Sequence, residues 1–424
     1  MKGKILIVYY HYRGYPLRAT TYDRIYSFEK YSGHACYYVN AAFGIPGYVA
    51  RVKFDLIIFE NSFLGKRNLV RLFKKAIKDC QALKSQQCER IALPQDEFYY
   101  TDLLGQFANE FKIKYIFSVA PETEWGRIYA KVAPGNVRFT KVLTGYLEDK
   151  TIETIKNISA SVRCRDIDIG YRSTPLRYSL GRHGYLKGRI AQIFKEKAPR
   201  YGLNVDISTD PADTILGTEW YRFLLRCKYT IGVESGASLL DRDGSIYHGV
   251  NNYLLKHPDA SFEETEEACF KGMDGNLRLF ALGPRHLEAC ATNTCQILIE
   301  GEYNEILKPE YHYIRLAKDF SNIDEVLMLI KKDTLRDQIV KQAYQDIIGS
   351  GKWTYRGFVR LVLNTSNAQW SPLTVHEQDI YHKNRTREKI IWSYLPLQSW
   401  VINAGVKLLP RSFVGKIVRR IERG

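Results

Sequence analysis

Apolar and polar positions along the first third of the chain alternate between two rhythms. Short runs rich in β-branched and aromatic residues predict strands at Lys4–Tyr10, His34–Val39, Asp55–Phe59, Arg90–Leu93, Tyr115–Val119 and Arg138–Leu143. Between them, apolar residues spaced three and four apart predict helices over Ala19–Tyr31, Lys66–Leu83, Thr101–Phe111 and Thr123–Val132. Strand and helix in alternation imply parallel strands covered on both faces, a Rossmann-like domain. The rhythm breaks near Thr144-Gly145-Tyr146, and the polar stretch Glu148–Arg165 reads as a linker. A second alternation opens with a strand at Asp166–Gly170 and a helix at Leu186–Phe194, then a helix at Tyr221–Cys227 and a strand at Tyr229–Val233. It closes with a helix from Pro284, strands at Gln296–Ile299 and Tyr313–Leu316, and helices from Asn322, over Thr334–Ile348 and over Tyr355–Leu363. The expected fold class is therefore α/β, with two Rossmann-like domains at 1–146 and 166–364, a linker at 147–165, and a connector with a basic amphipathic tail at 365–424.

Length agrees, since 424 residues exceed what one hydrophobic core usually supports. Charge changes the picture more. The net charge of +16 is concentrated in two places: residues 66–84 carry seven basic residues against Asp79, and residues 383–424 carry ten against two Glu. The rest of the chain is nearly neutral, which argues against a groove that tracks nucleic-acid phosphates and for two basic helices facing an anionic membrane. In the first, Leu69, Leu72, Phe73, Ala76, Ile77, Cys80 and Leu83 form an apolar stripe that equally suits packing on the sheet. In the second, Phe413, Val414, Ile417, Val418 and Ile421 alternate with Lys416, Arg419, Arg420 and Arg423, downstream of Trp392, Tyr394 and Trp400. Eight scattered cysteines form no CxxC pair, so neither a zinc site nor a disulfide framework is expected and a reducing compartment is. No run reaches the length of a membrane span. The aromatic share of 13% is high, and part of it is expected to line a cleft.

Candidate chemistry gathers where predicted strands end, the edge at which open α/β sheets bind ligands. After the first strand come His11 and a turn shaped by Gly14 and Pro16 that ends in Arg18; no GxGxxG follows, so a dinucleotide site is not expected there. His11 could serve as a base or be merely structural. Asp96 and Glu97, after the strand ending at Leu93, could face a ligand or cap the helix at Thr101. In the second half, Arg172 follows a strand, Lys187 enters a helix, Glu234-Ser235-Gly236 follows a strand, and Arg285 and Glu288 lie in the first turns of the helix opened by Gly283-Pro284. Asp241-Arg242-Asp243 has metal-binding spacing but sits in a long loop, and no metal site is expected.

The run Leu287-Glu288-Ala289, followed by a strand and an Asp before the last helix, resembles the donor half of GT-B glycosyltransferases. Tyr15-Pro16-Leu17-Arg18-Ala19-Thr20, Pro94-Gln95-Asp96-Glu97, Asp168-Ile169-Gly170-Tyr171-Arg172, Gly232-Val233-Glu234-Ser235-Gly236-Ala237-Ser238 and Pro284-Arg285-His286-Leu287-Glu288 resemble, in that order, bacterial glycosyltransferase-like proteins related to the spore-maturation glycosyltransferases. The resemblance implies a GT-B fold and sugar transfer from a nucleotide-sugar co-substrate, with no other cofactor. It implies that Arg172, Lys187 and Arg285 hold the diphosphate, Glu288 the ribose, and Glu234 and Ser235 the ribose or sugar. His11, Asp96 and Glu97 would then be catalytic and Arg18 would bind the acceptor. With seven residues between it and Glu288, Phe280 stands where the common donor pattern has its first Glu, a departure that leaves the stereochemical outcome open. With the basic tail, the expectation becomes a metal-independent, cytoplasmic peripheral membrane enzyme acting on a lipid-linked or cell-envelope glycan. A non-catalytic carbohydrate- or nucleotide-binding protein on the same scaffold is the alternative.

Overall fold

The computed structural model describes residues 2–11, 19–162, 164–175 and 177–407, without the side chains of 393–407. The first six strands, β1 (Lys4–Tyr9), β2 (Ala35–Asn40), β3 (Leu56–Phe59), β4 (Glu89–Ala92), β5 (Tyr115–Ser118) and β6 (Arg138–Lys141), form one parallel sheet in the order β2-β1-β3-β4-β5-β6. Residues of β1, β2 and β3 are buried on both faces, as parallel strands sandwiched by helices must be. A second parallel sheet takes β7 (Ile167–Arg172), β8 (Val205–Ser208), β9 (Cys227–Gly232), β12 (Cys295–Ile299) and β13 (Ile314–Leu316) in the order β13-β12-β9-β7-β8. Between β9 and β12 a short antiparallel pair, β10 (Ser235–Ala237) with β11 (Leu279–Ala281), closes an excursion that holds helices Ser245–Lys256 and Phe262–Cys269. These are the two Rossmann-like domains of the GT-B plan.

Several boundaries differ from the sequence reading. Residues 147–165 are no loose linker: Glu148 caps a helix over Asp149–Ser159, whose apolar residues Ile155 and Ile158 are buried. Strand β8 has no apolar run long enough to announce it, because it lies at the edge of its sheet with half of its residues only partly buried.

The largest difference is at the carboxyl end. Helix Tyr355–Thr365 buries Tyr355, Phe358, Val359 and Val362 in the core of the first domain, so the second domain ends before it. Part of the expected connector is instead the start of a long helix, Val375–Lys407. Its Asn384 acts as an extra rung on the edge strand β2: the side chain accepts from Tyr38 N at 2.8 Å and donates to Tyr38 O at 2.8 Å. Four residues on, buried Glu388 accepts from the hydroxyls of Tyr9 and Tyr26, each at 2.5 Å. Lys4 meets Glu377 at 3.4 Å and Arg385 meets Glu29 at 2.7 Å. Contacts of this kind are invisible to periodicity, which sees a polar helix.

The first basic helix is settled by packing. Phe73, Ala76, Cys80 and Leu83 are fully buried, with Phe73 5.7 Å from Phe63 and 6.0 Å from Phe107. Each buried aromatic of this size contributes about 1.5–3 kcal/mol. The apolar stripe thus packs on the sheet, one of the two readings the sequence left open, with Leu69, Leu72 and Ile77 half-buried at its margin and Arg71, Lys74, Lys75 and Lys78 exposed. Tail residues 408–424 lie outside the described residues. Among those described, no helix is long and apolar enough to cross a membrane.

Replacing Asn384 with Ala strands two backbone groups of β2 beside a buried helix, and each such group costs about 1–3 kcal/mol. We expect urea unfolding followed by far-ultraviolet circular dichroism to show a loss of about 2–3 kcal/mol for this variant.

Candidate functional site

The carboxyl edges of the two sheets face one another, and the walls between them are built by loops that buried polar groups hold in place. In the first domain the key group is Arg67, fully buried. Its guanidinium donates to Leu64 O at 3.0 Å, Tyr99 O at 3.1 Å, Gln95 O at 2.9 Å and Asp96 O at 2.5 Å. One side chain thereby satisfies three carbonyls of the irregular segment 95–99 and ties it to the end of helix Asn61–Leu64. It also holds Asp96 and Tyr100 in left-handed backbone, at φ of 50° and 49°. The segment then meets the second domain: Asp241 N donates to Phe98 O at 2.7 Å, Asp102 N to Arg242 O at 3.1 Å, and the Tyr100 hydroxyl pairs with His248 Nε2 at 2.7 Å. On the other side of the cleft Thr144 Oγ1 donates to Leu282 O at 2.8 Å. Gly145 there approaches Pro284 so closely that a Cβ would lie 2.6 Å from Pro284 Cγ.

A cavity of about 340 Å³ opens at the ends of β7 and β9. Lys187, Ser235, Arg285 and Glu288 line it together with Arg172, and Ala19 and Thr20 close it from the first domain. Helix Pro284–Ala291 begins here with Pro at its first position, and its first two turns put Arg285 and Glu288 on the cleft. Arg285 Nη1 donates to Arg172 O at 2.9 Å, and its guanidinium lies 5.7 Å from the Tyr171 ring centre. Glu288 is 7% exposed and accepts from Trp220 Nε1 at 2.8 Å, which fixes the carboxylate's direction.

Lys187 lies within helix Gly181–Lys197, not at its start, because the helix begins earlier than apolar spacing suggests. The start of that helix is already occupied: Asp274 accepts from Arg182 N at 3.0 Å and from Ser238 Oγ at 2.7 Å. Lys187 reaches the cavity through its long stem and donates to Gly236 O at 3.2 Å. Burial, then the charges of Arg285 and Arg177, lower its pKa to about 8, with Asp96 opposing them from across the cleft. Lys187, Arg285 and Arg177 therefore form a cationic group that a bound anion would relieve. Arg177, exposed and close enough to act on Lys187, escaped the sequence reading.

The other candidates are engaged by the fold or lie away from the cavity. Arg172 is committed to its own sheet: Nη2 pairs with Asp206 at 2.8 Å, Nη1 donates to Asp206 O at 2.9 Å, Nε donates to Asp213 O at 3.2 Å, and the guanidinium lies 4.5 Å from the Phe223 ring. Its backbone, through the Arg285 contact, faces the ligand side, and a diphosphate clamp by its side chain is corrected. Glu234 is 4% exposed and turned into the fold. It accepts from Tyr303 N at 2.6 Å, and a Cβ on Gly301 would lie 2.3 Å from its Oε2, so it pins the tyrosine-rich loop after β12 and does not face a ribose. Burial raises its pKa despite that bond.

Glu97 is fully buried under the cleft. It accepts from Ser118 Oγ at 2.6 Å, Val119 N at 2.8 Å and the Tyr129 hydroxyl, and burial raises its pKa. This carboxylate caps the turn after β5, which corrects both its catalytic and its helix-capping expectation. Asp96 is exposed and close enough to bias Lys187. His11 N donates to Asn40 Oδ1 at 2.9 Å, its carbonyl accepts from Asn40 Nδ2 at 2.8 Å, and its ring stacks on Trp392 at a centre distance of 5.3 Å. Burial and then Lys66 lower its pKa. His11, Asp96 and Glu97 thus do not converge, and none lines the cavity. Arg18 lies outside the described residues. Asp241 and Asp243 accept from Gly244 N, Tyr247 N and Ser245 N at 2.8–3.0 Å, capping helix Ser245–Lys256.

No known family profile matches the chain, and no curated protein matches it. Solved structures do. Anabaena HepE, determined with UDP-glucose, is 11% identical at a TM-score of 0.47, over 86% of this chain and 100% of that one. An α-glucosyltransferase determined with UDP and a DNA 13-mer is 12% identical at 0.46, over 86% and 99%. Sucrose-phosphate synthase from Thermosynechococcus elongatus is 10% identical at 0.46, over 86% and 98%. None of these carries a residue's role to this chain.

Because Lys187 holds its proton only below about pH 8, its attraction for an anion fades above that value, well before an ordinary lysine would lose it. Calorimetric titration with pyrophosphate should show affinity falling between pH 7 and 9, and Lys187→Arg should flatten that fall.

Proposed function

We propose that this protein is a glycosyltransferase, moving a sugar from a nucleotide-sugar held by the second domain to a hydroxyl presented in the interdomain cleft. The observation that carries this reading is the joint lining of one cavity by Lys187, Arg285 and Glu288 at the start of helix Pro284–Ala291. Two cations beside backbone N–H groups suit a diphosphate, and they suit it best as it gains charge on leaving. One turn further, a carboxylate steered by Trp220 suits the paired hydroxyls of a ribose. Ile215, Leu216 and Trp220 supply an apolar wall of the kind a nucleobase packs on. Arg285 takes the phosphate-holding part that the sequence assigned jointly to Arg172.

In this scheme side-chain cations do the work that a divalent ion does in other nucleotide-sugar enzymes, so a chelator should leave turnover unchanged. The acceptor is a cell-envelope or lipid-linked glycan, and the chain works on the cytoplasmic face of an anionic membrane. The support for the membrane is the local excess of basic residues over 383–424. The fold alters how that must be tested, because residues 375–392 are bound into the first domain. Deleting only 393–424 should release the protein from phosphatidylglycerol vesicles in a sedimentation assay while nucleotide binding persists; unchanged sedimentation would rule the tail out as anchor.

Glu288→Ala should leave the protein folded and weaken nucleoside diphosphate binding by about 1.5–3 kcal/mol, roughly ten- to a hundredfold, as read by calorimetry with UDP and GDP. Unchanged affinity for both would remove Glu288 from the site.

A further inference from the structure

A second and larger cavity, of about 570 Å³, lies between helices Ala19–Tyr31 and Asp149–Ser159 and the start of helix Thr218–Arg226. It meets the first cavity at a shared wall made of Ala19, Gly217 and Tyr221. We infer that it binds the acceptor, and that the acceptor there is a neutral saccharide of a few rings. This inference rests on the glycosyltransferase reading and gives its second substrate a place and a chemical class.

The walls support that class. Tyr22, Tyr26 and Tyr221 offer aromatic faces, on which the apolar face of a sugar ring packs, and Thr151, Thr154 and Thr218 offer hydroxyls. Most of the charges lining the cavity are already matched: Glu148 meets Lys30 at 2.7 Å and accepts from the Tyr31 hydroxyl, and Arg385 meets Glu29 at 2.7 Å. A polyanion such as nucleic acid would find no excess positive charge to neutralise. Asp23 is different. Half-buried on the cavity wall, it has no hydrogen bond or ion pair among the described residues, and so keeps its acceptor capacity for a ligand hydroxyl.

Its setting is consistent with that role. The charged groups facing it are Lys30 on its own helix, Glu148 and Lys150 at the start of helix Asp149–Ser159, and Glu288 across the cleft. Burial, followed by Glu148, pushes its pKa up to about 6, with the two lysines opposing. Tyr221, whose own pKa burial and Glu288 raise, stands beside both carboxylates, so Asp23 and the proposed ribose ligand are neighbours across one tyrosine. A hydroxyl held by Asp23 would therefore lie next to the donor cavity and not at the far end of the second one.

The test uses the full chain with two probes: UDP for the first cavity, and a set of neutral trisaccharides (maltotriose, cellotriose and chitotriose) for the second, followed by calorimetry and saturation-transfer NMR. At least one trisaccharide is expected to bind the wild-type protein. Thr154→Trp, which fills the cavity away from the shared wall, should lower that affinity at least tenfold and leave UDP affinity within twofold. Wild-type saccharide affinity should rise as pH passes upward through about 6, because the ionised carboxylate is the better acceptor; Asp23→Asn should abolish that rise. UDP binding without any trisaccharide binding, or with trisaccharide binding indifferent to both variants, would overturn this inference and leave the donor reading standing. Trisaccharide binding sensitive to both variants but no nucleoside diphosphate binding would support the second site and overturn the donor reading. Failure of both probes would overturn both.

Discussion

The whole arrangement depends on keeping the carboxyl edges of two parallel sheets opposed across a cleft. Their cores are partly shared: Leu287, Cys290 and Leu298 of the second domain belong to the same buried cluster as the first sheet, while the other face of the second sheet has a core of its own. Opposition is imposed by directional contacts at the rims. Phe98–Asp102 meets Asp241–Arg242 on one side and Thr144-Gly145 meets Leu282–Pro284 on the other. The carboxyl-terminal helices then return to the first domain, and Leu147 exchanges backbone bonds with Trp353 and Tyr355, both at 3.0 Å. These are mostly backbone contacts and close van der Waals approaches, which tolerate little displacement. They hold Pro284, and with it Arg285 and Glu288, at a set distance from the first domain.

Charged side chains in this protein divide into those consumed by the fold and those left for a ligand. Arg67, Arg172, Glu97, Glu234 and Glu388 have their donor and acceptor capacity engaged by backbone groups, hydroxyls or an opposite charge. A buried charge without such partners would cost several kcal/mol, so their burial and their partners come together. Lys187, Arg285 and Asp23 are less completely engaged, and the displaced pKa values of Lys187 and Asp23 record it. Groups poised in this way, lowered for the amine and raised for the acid, are those that gain most when a ligand of the right charge or hydrogen-bonding character arrives.

The helix Ala19–Tyr31 shows how one element serves both ends. Its inner face, with Ile25 and Phe28, packs into the core, while Tyr26 hands its hydroxyl to Glu388 of the returning helix. Its outer face carries Tyr22 and Asp23 into the cleft. The returning helix, through Trp392, also stacks on His11. The carboxyl-terminal helix is thus packed against the segment that follows β1 as well as against helix Ala19–Tyr31.

Much of the fold was legible in the chain itself. The strands of the first sheet, the helix at Ala19–Tyr31 and the helix opening at Pro284 follow from local rhythm: central strands such as β1 and β3, buried on both faces, are apolar runs, and a Gly-Pro entry suits a helix start. Local rhythm also placed Arg285 and Glu288 on one helix turn. What it could not decide is direction. Whether Glu234 or Glu97 points into the cleft or into the core, and whether Arg172 is offered to a ligand or to Asp206, depends on residues tens of positions away, and a single strand-end motif carries the same residues in both cases. The return of Val375–Trp392 to β2 was hidden for a similar reason: it is secured by Asn384 and Glu388, polar residues whose burial is affordable only because Tyr38, Tyr9 and Tyr26 are there to receive them. Asp23, too, looks like any solvated helix carboxylate until the second domain covers it. Periodicity reports which face of an element is apolar, whereas the pairing of buried polar groups is set by chain segments that meet only in three dimensions.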